Sequence, residues 1–124
     1  MIISTYAALL AFYYIYLSFN VIKLRQAQKV SLGDNGEPSL QRAIRAHGNF
    51  MEYVPFAIIL LFLVEYQGLA SHYCHILGGM LLVGRVFHNS GIVEKNMRFR
   101  QIGAVSTFLV IIISAFVMLI TRNS

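Results

Sequence analysis

Residues 40 to 65 read LQRAIRAHGNFMEYVPFAIILLFLVE, a segment that begins polar and ends as an apolar run. Arg42, Arg45, His47, Asn49 and Glu52 occupy its first half, and no charge interrupts Val54 to Val64. About 20 apolar residues in a helix cross a bilayer core of roughly 30 Å. The segment therefore reads as a membrane helix that carries strongly hydrated groups at its mouth. What those groups do there decides both fold and function.

The rest of the chain agrees with a membrane setting. Of its 124 residues, 57% are hydrophobic and 12% charged, and the mean hydropathy is +0.65. Soluble domains carry about 25% charged residues. Ile2 to Ile22 is a stretch of 21 residues without a charge, and Ile102 to Ile120 is a second uncharged stretch. Ala43 to Val64 and Leu69 to Phe87 supply two more spans, each interrupted by polar residues. The predicted fold is an all-α membrane protein, a bundle of four transmembrane helices in a single domain over residues 1–124. Nothing basic precedes the first apolar run, which predicts a retained span rather than a cleaved signal. Cys74 is the single cysteine, so no intrachain disulfide can form.

The net charge of +5 is distributed in a way that argues against nucleic acid. Nine of the ten Lys and Arg residues lie within Lys23 to Arg45 or Arg85 to Arg100, around the first and third connections. The second connection, near Tyr66 to Ser71, has none, and Arg122 at the far end is the exception. By the positive-inside rule the first and third connections are cytoplasmic and both termini lie outside. In the first connection, SLGDNGEPS is a turn cluster, and Ser39 is a candidate N-cap for the second span. In the third, Gly91 and the charges from Glu94 to Arg100 turn the chain back towards the membrane.

On a helix advancing 100° per residue, with Arg42 at 0°, Arg45 falls near about −60°, Asn49 near −20° and Glu52 near −80°. These four share an arc of about 80°, whereas His47 sits near about 140°, almost opposite. Arginine stems can snorkel to headgroups. Glu52 cannot reach far and lies about 18 Å along the axis from Leu40. A carboxylate at that depth faces a protein interior or wet cavity and normally has a partner. Arg85 is the expected partner, with His88 one turn later on the same side. Guanidiniums, a carboxylate, an amide and Tyr53 together suit a zwitterionic guest with excess negative charge, such as a small acidic peptide.

The stretch RAIRAHGNFMEYVP, Arg42 to Pro55, resembles the second-helix signature of the MAPEG superfamily, membrane-associated proteins in eicosanoid and glutathione metabolism. Arg45, Ala46, His47, Asn49, Glu52, Tyr53 and Pro55 match its pattern, and RVFH with a later arginine matches around the third connection. The resemblance implies a homotrimer binding glutathione as co-substrate between subunits near the cytoplasmic face. It implies that Arg45, Asn49, Glu52 and Tyr53 hold the tripeptide, with Glu52 on its α-amino group and arginines on its carboxylates. Arg25 would add a basic ligand from the first span, and Arg85 and His88 match the family's third-helix pair. Arg100 would stabilise the glutathione thiolate and so carry catalysis, in preference to Arg98. One departure is plain: many catalytic members carry a tyrosine where this chain has Ile92.

The implied function is a glutathione transferase or peroxidase in a bacterial-type inner membrane, acting on lipophilic electrophiles that arrive among the lipids. The alternative is a non-catalytic member that binds glutathione or lipid. Small multidrug exporters share this length but carry a carboxylate in their first helix, where this chain has no charge. His72, Cys74 and His75 do not share one face, so no metal site is expected. Tyr6, Tyr13, Tyr14 and Tyr16 read as an interfacial belt or packing. Gly78, Gly79 and Gly84 read as points of close helix approach.

Overall fold

The computed structural model of the chain describes residues 1–121, so Arg122 lies outside the described residues. The helices are α1 (Ile3–Gln28), α2 (Pro38–Tyr66), α3 (Ser71–Val93) and α4 (Met97–Thr121). All four are long and apolar enough to cross a membrane. Short connections run them up and down, with the basic first and third connections at one end of the bundle. That end is the basic end of the bundle.

Residues at helical spacing explain the packing. On α2, Leu40, Ala43, Ala46, Phe50, Val54, Ala57, Leu61 and Val64 are buried, a seam at intervals of three and four that turns one stripe inward. Pro55 lies within α2; its ring removes one backbone hydrogen bond, a loss membrane helices accommodate when neighbours re-satisfy the freed carbonyl. α3 packs most extensively on α4, and α1 rests on α2 and α3. The α3–α4 contact is tight because glycines face it. A Cβ on Gly103 would meet the Gly84 carbonyl and the His88 backbone, and one on Gly84 would meet Ser106. Gly78 accommodates the ring of Tyr6, but nothing approaches Gly79, so the expectation of close packing there is corrected.

Helix ends differ from expectation in two places. Ser39 is not the N-cap of α2: Glu37 holds that position in extended conformation, with Pro38 at the first helical residues. Proline suits that site because its missing N–H has no helical acceptor there, and Ser39 Oγ instead accepts from Gln28 Nε2 at 3.0 Å. Gly91 is not a turn residue but lies inside α3, packed against the backbone of Arg100. The turn is made by Lys95 in left-handed conformation, φ 60°, and Asn96 Oδ1 accepts the N–H of Phe99 to open α4. At the opposite end α1 has no cap of its own. The Glu65 carboxylate, from the last turn of α2, accepts the N–H groups of Ile2 and Ile3 at 2.6 and 2.9 Å. A negative charge there also meets the positive end of the helix dipole.

Candidate functional site

The polar stripe on α2 divides between two environments. Asn49 turns towards α3, where its Oδ1 accepts from Arg85 Nη2 at 2.6 Å. Arg85 is 1% exposed, and its Nη1 also donates to Thr107 Oγ1 at 3.4 Å. Glu52 turns outward and stays more than half exposed on the single chain, 3.9 Å from Arg45 Nη1. The expected Glu52–Arg85 pair is therefore not made. The reason is angular: Asn49 and Glu52 stand about 60° apart on the helix, and α3 lies against the Asn49 side.

Arg85 and His88 do share the inner face of α3, and both are buried. A ring nitrogen of His88, Nδ1, lies 2.9 Å from the Arg100 carbonyl oxygen. Because a carbonyl only accepts, Nδ1 carries the hydrogen and Nε2 is an acceptor in the neutral ring. Nε2 has no partner. Tyr53 packs its ring edge-on to Phe108, with centroids 5.5 Å apart. Asn49, Tyr53, Arg85, His88, Thr107 and Phe108 line a small chamber of about 60 Å³.

A second and larger space lies at the basic end. Its volume is about 360 Å³, and its walls include Gln41, Arg42, Arg45, Ile92, Lys95 and Arg100. Four cations and no carboxylate face this cleft. The tight turn places Lys95 and Arg100 on one wall, since Gly91 allows the start of α4 to lie against α3. Of the two arginines that open α4, Arg100 lines the cleft and Arg98 does not. The hydrogen bond from His88 to the Arg100 carbonyl ties chamber to cleft.

Two of the sequence-derived candidates stand apart from both spaces in the single chain. Arg25 donates through Nη1 to the Gly33 carbonyl at 2.5 Å and lines a shallow groove with Lys29 and Val30. Glu52 lies on the outer surface with Arg45. His47 points away from the Asn49 side, as its angle requires, and there meets α1: its Nε2 lies 3.0 Å from Ser18 Oγ and its ring stacks on Tyr14. Sequence reasoning missed Gln41, Lys95 and Thr107. Lys95 could have been noticed as a charge beside the turn, whereas Thr107 has no signal within the apolar run of α4.

His72, Cys74 and His75 diverge. Tyr6 Oη meets His75 Nδ1 at 2.8 Å, His72 lies against Tyr73, and Cys74 is buried with its thiol on the Leu69 carbonyl. Among the described residues no three His, Cys, Asp or Glu side chains group as metal ligands.

Comparison with known proteins gives one consistent result. The chain is 38% identical over 113 residues to inner membrane protein YecN of Escherichia coli K12, covering 91% of this chain and 86% of that protein. YecN of Escherichia coli O6:H1 matches to the same extent. Residues 3–120 match the MAPEG family. With four membrane-length helices and the signature on α2, the chain is a membrane protein belonging to the MAPEG family.

Proposed function

We propose that the protein binds glutathione at the basic end and uses its thiol against lipophilic electrophiles. The observation that carries this reading is the cleft of about 360 Å³ walled by Arg42, Arg45, Lys95 and Arg100. Guanidiniums take carboxylates in paired hydrogen bonds, and glutathione offers two carboxylates. Glu52 supplies the matching acceptor for its ammonium group. Arg100 faces the thiol, favours the thiolate, and so raises the fraction of the nucleophilic form. The thiolate sulfur attacks the electrophilic carbon, a C–S bond forms, and the leaving group departs with the bonding pair. Tyr53 and Asn49 position the peptide, Arg85 and His88 hold the inner wall, and Arg25 approaches from a neighbouring chain.

The assembly follows from Glu52. A carboxylate more than half exposed, about 21 Å along α2 from its start, cannot face lipid at acceptable cost. A second copy of the chain must cover it, and the family resemblance points to a homotrimer with the site between subunits. The relatives named as inner membrane proteins support the same location here, with the basic end in the cytoplasm by its charge.

A single observation favours the alternative of a non-catalytic binder. Ile92 lines the cleft where many catalytic members offer a phenol, so no hydroxyl there can assist the thiol. The experiment is conjugation of an activated aryl halide by the purified protein in mild detergent, with and without glutathione. Product formation above the detergent blank supports the enzyme. Saturable glutathione binding without product supports the binder, and no binding overturns both.

A further inference from the structure

The largest fully buried side chain among the described residues is a charged one, Arg85. A guanidinium cannot shed its proton inside a protein. Charged groups within a membrane pair with an opposite charge or with good acceptors. Among the described residues, no carboxylate lies within 4.0 Å of Arg85; the ion pair that does form is Arg45–Glu52. Arg85 donates to the neutral oxygens of Asn49 and Thr107, with the phenols of Tyr13 and Tyr53 nearby, and its Nε has no partner. A positive charge is thus sequestered with no carboxylate against it among the described residues of the single chain.

The chamber of about 60 Å³ lies directly beside this charge. About 10–15 Å³ of such space holds one water molecule, so the chamber has room for a small ion with a few waters. Its walls offer two donors besides Arg85. With Asn49 Oδ1 taken by Arg85, the Asn49 amide NH₂ remains to donate, and the Tyr53 hydroxyl can do the same. His88 also lines the chamber, but its unpartnered Nε2 is buried. No carboxylate lines the chamber.

We propose that this chamber binds one small monovalent anion, with chloride as the abundant choice, which serves as the counter-ion of Arg85. The chamber shares Asn49, Tyr53, Arg85 and His88 with the proposed glutathione site, but the anion is expected there without the tripeptide. It makes α2 and α3 converge on a shared ion, because Asn49 and Arg85 come one from each helix, while Thr107 of α4 holds Arg85 in place, its own hydroxyl donating to the Gly103 carbonyl.

The test uses the full chain in mild detergent without glutathione, followed by circular dichroism during heating. Sodium chloride is compared with sodium gluconate at equal ionic strength. Chloride at about tenfold excess over its Kd should raise Tm by about 3–6 °C, and the chloride NMR line should broaden and be sharpened by added bromide. Asn49→Asp places a carboxylate next to the guanidinium and should make Tm equal in the two salts and abolish the broadening. The broadening needs only the wild type, so the proposal remains testable if that variant does not fold. Equal wild-type Tm values together with an unbroadened line overturn the proposal. If glutathione then still stabilises the protein, the counter-ion is the tripeptide's carboxylate, and the proposed function survives this failure. Chloride binding without any glutathione binding gives the converse.

Discussion

Arg85 of α3 donates to Asn49 of α2 across 2.6 Å, and this neutral–charged contact joins the two helices where an ion pair was expected. A hydrogen bond to a charged group contributes about 1.5–3 kcal/mol. Asn49→Ala should therefore lower stability by about that amount, read by thermal or denaturant unfolding in detergent. An unchanged midpoint would mean that the Arg85 guanidinium finds another acceptor at no loss.

Glu52→Gln should behave differently. Glu52 meets Arg45 only at 3.9 Å, with both side chains more than half exposed, and such pairs contribute little. The unfolding midpoint should hardly move. Glutathione affinity should fall by about tenfold or more, equivalent to about 1.4 kcal/mol or more, because the ammonium of the tripeptide loses its carboxylate. Equilibrium binding checks this, and a variant that binds as tightly as the wild type removes Glu52 from the site.

The fold was legible because its cause is one-dimensional. Apolar runs of membrane length and the alternation of basic connections follow from counting residues. The site was half legible. Helical angle correctly set His47 and Asn49 on different faces, since angle depends only on spacing. Partner choice depends on where the neighbouring helix lies, and an angular difference of about 60° was enough to give Arg85 to Asn49 instead of Glu52. Lys95 joined the cleft through the tight α3–α4 turn, which rests on Gly91 meeting the backbone of Arg100. Nothing in the local sequence of Gly91 announces a contact nine residues further on.

Gly103 tests the close approach of α3 and α4. A side chain there would collide with the Gly84 carbonyl and the His88 backbone, and overpacking a tight contact costs about 1–3 kcal/mol. Gly103→Val should lower the unfolding midpoint and disturb the chamber. Gly79→Ala is the control, because nothing lies within 4 Å of a Cβ at that position. It should leave the midpoint unchanged or slightly higher. Equal effects of the two substitutions would mean that helix propensity, and not packing, governs both.

The oligomer is tested by mass. The chain is 14.0 kDa, and light scattering corrected for detergent should give about three times that value. Glu52→Leu, by removing the charge a neighbour must cover, should leave the isolated chain better tolerated by lipid or detergent. A folded monomer of the wild type in mild detergent would leave Glu52 facing lipid, and the site between subunits would have to be abandoned.

The final prediction concerns Arg100, because it separates an enzyme from a binder. A free thiol with pKa near about 8.5 is only a few per cent thiolate at neutral pH. Lowering that pKa by about two units corresponds to about 2.7 kcal/mol, within reach of a charge-assisted contact in a partly dry cleft. Arg100 and Lys95 stand on the same wall, so either cation could supply it. Arginine presents a planar fork, whereas lysine is a compact, strongly hydrated charge. Arg100 should therefore dominate. Titration of bound glutathione by its thiolate ultraviolet absorbance should show a depressed pKa in the wild type. Arg100→Ala should return it to the value in water while much of the binding persists, and Lys95→Met should leave it largely depressed. If Lys95→Met abolishes the shift, the catalytic cation is the lysine of the turn. If the wild-type thiol titrates as it does in water, the cleft binds glutathione without activating it, as expected for a site where Ile92 replaces a phenol.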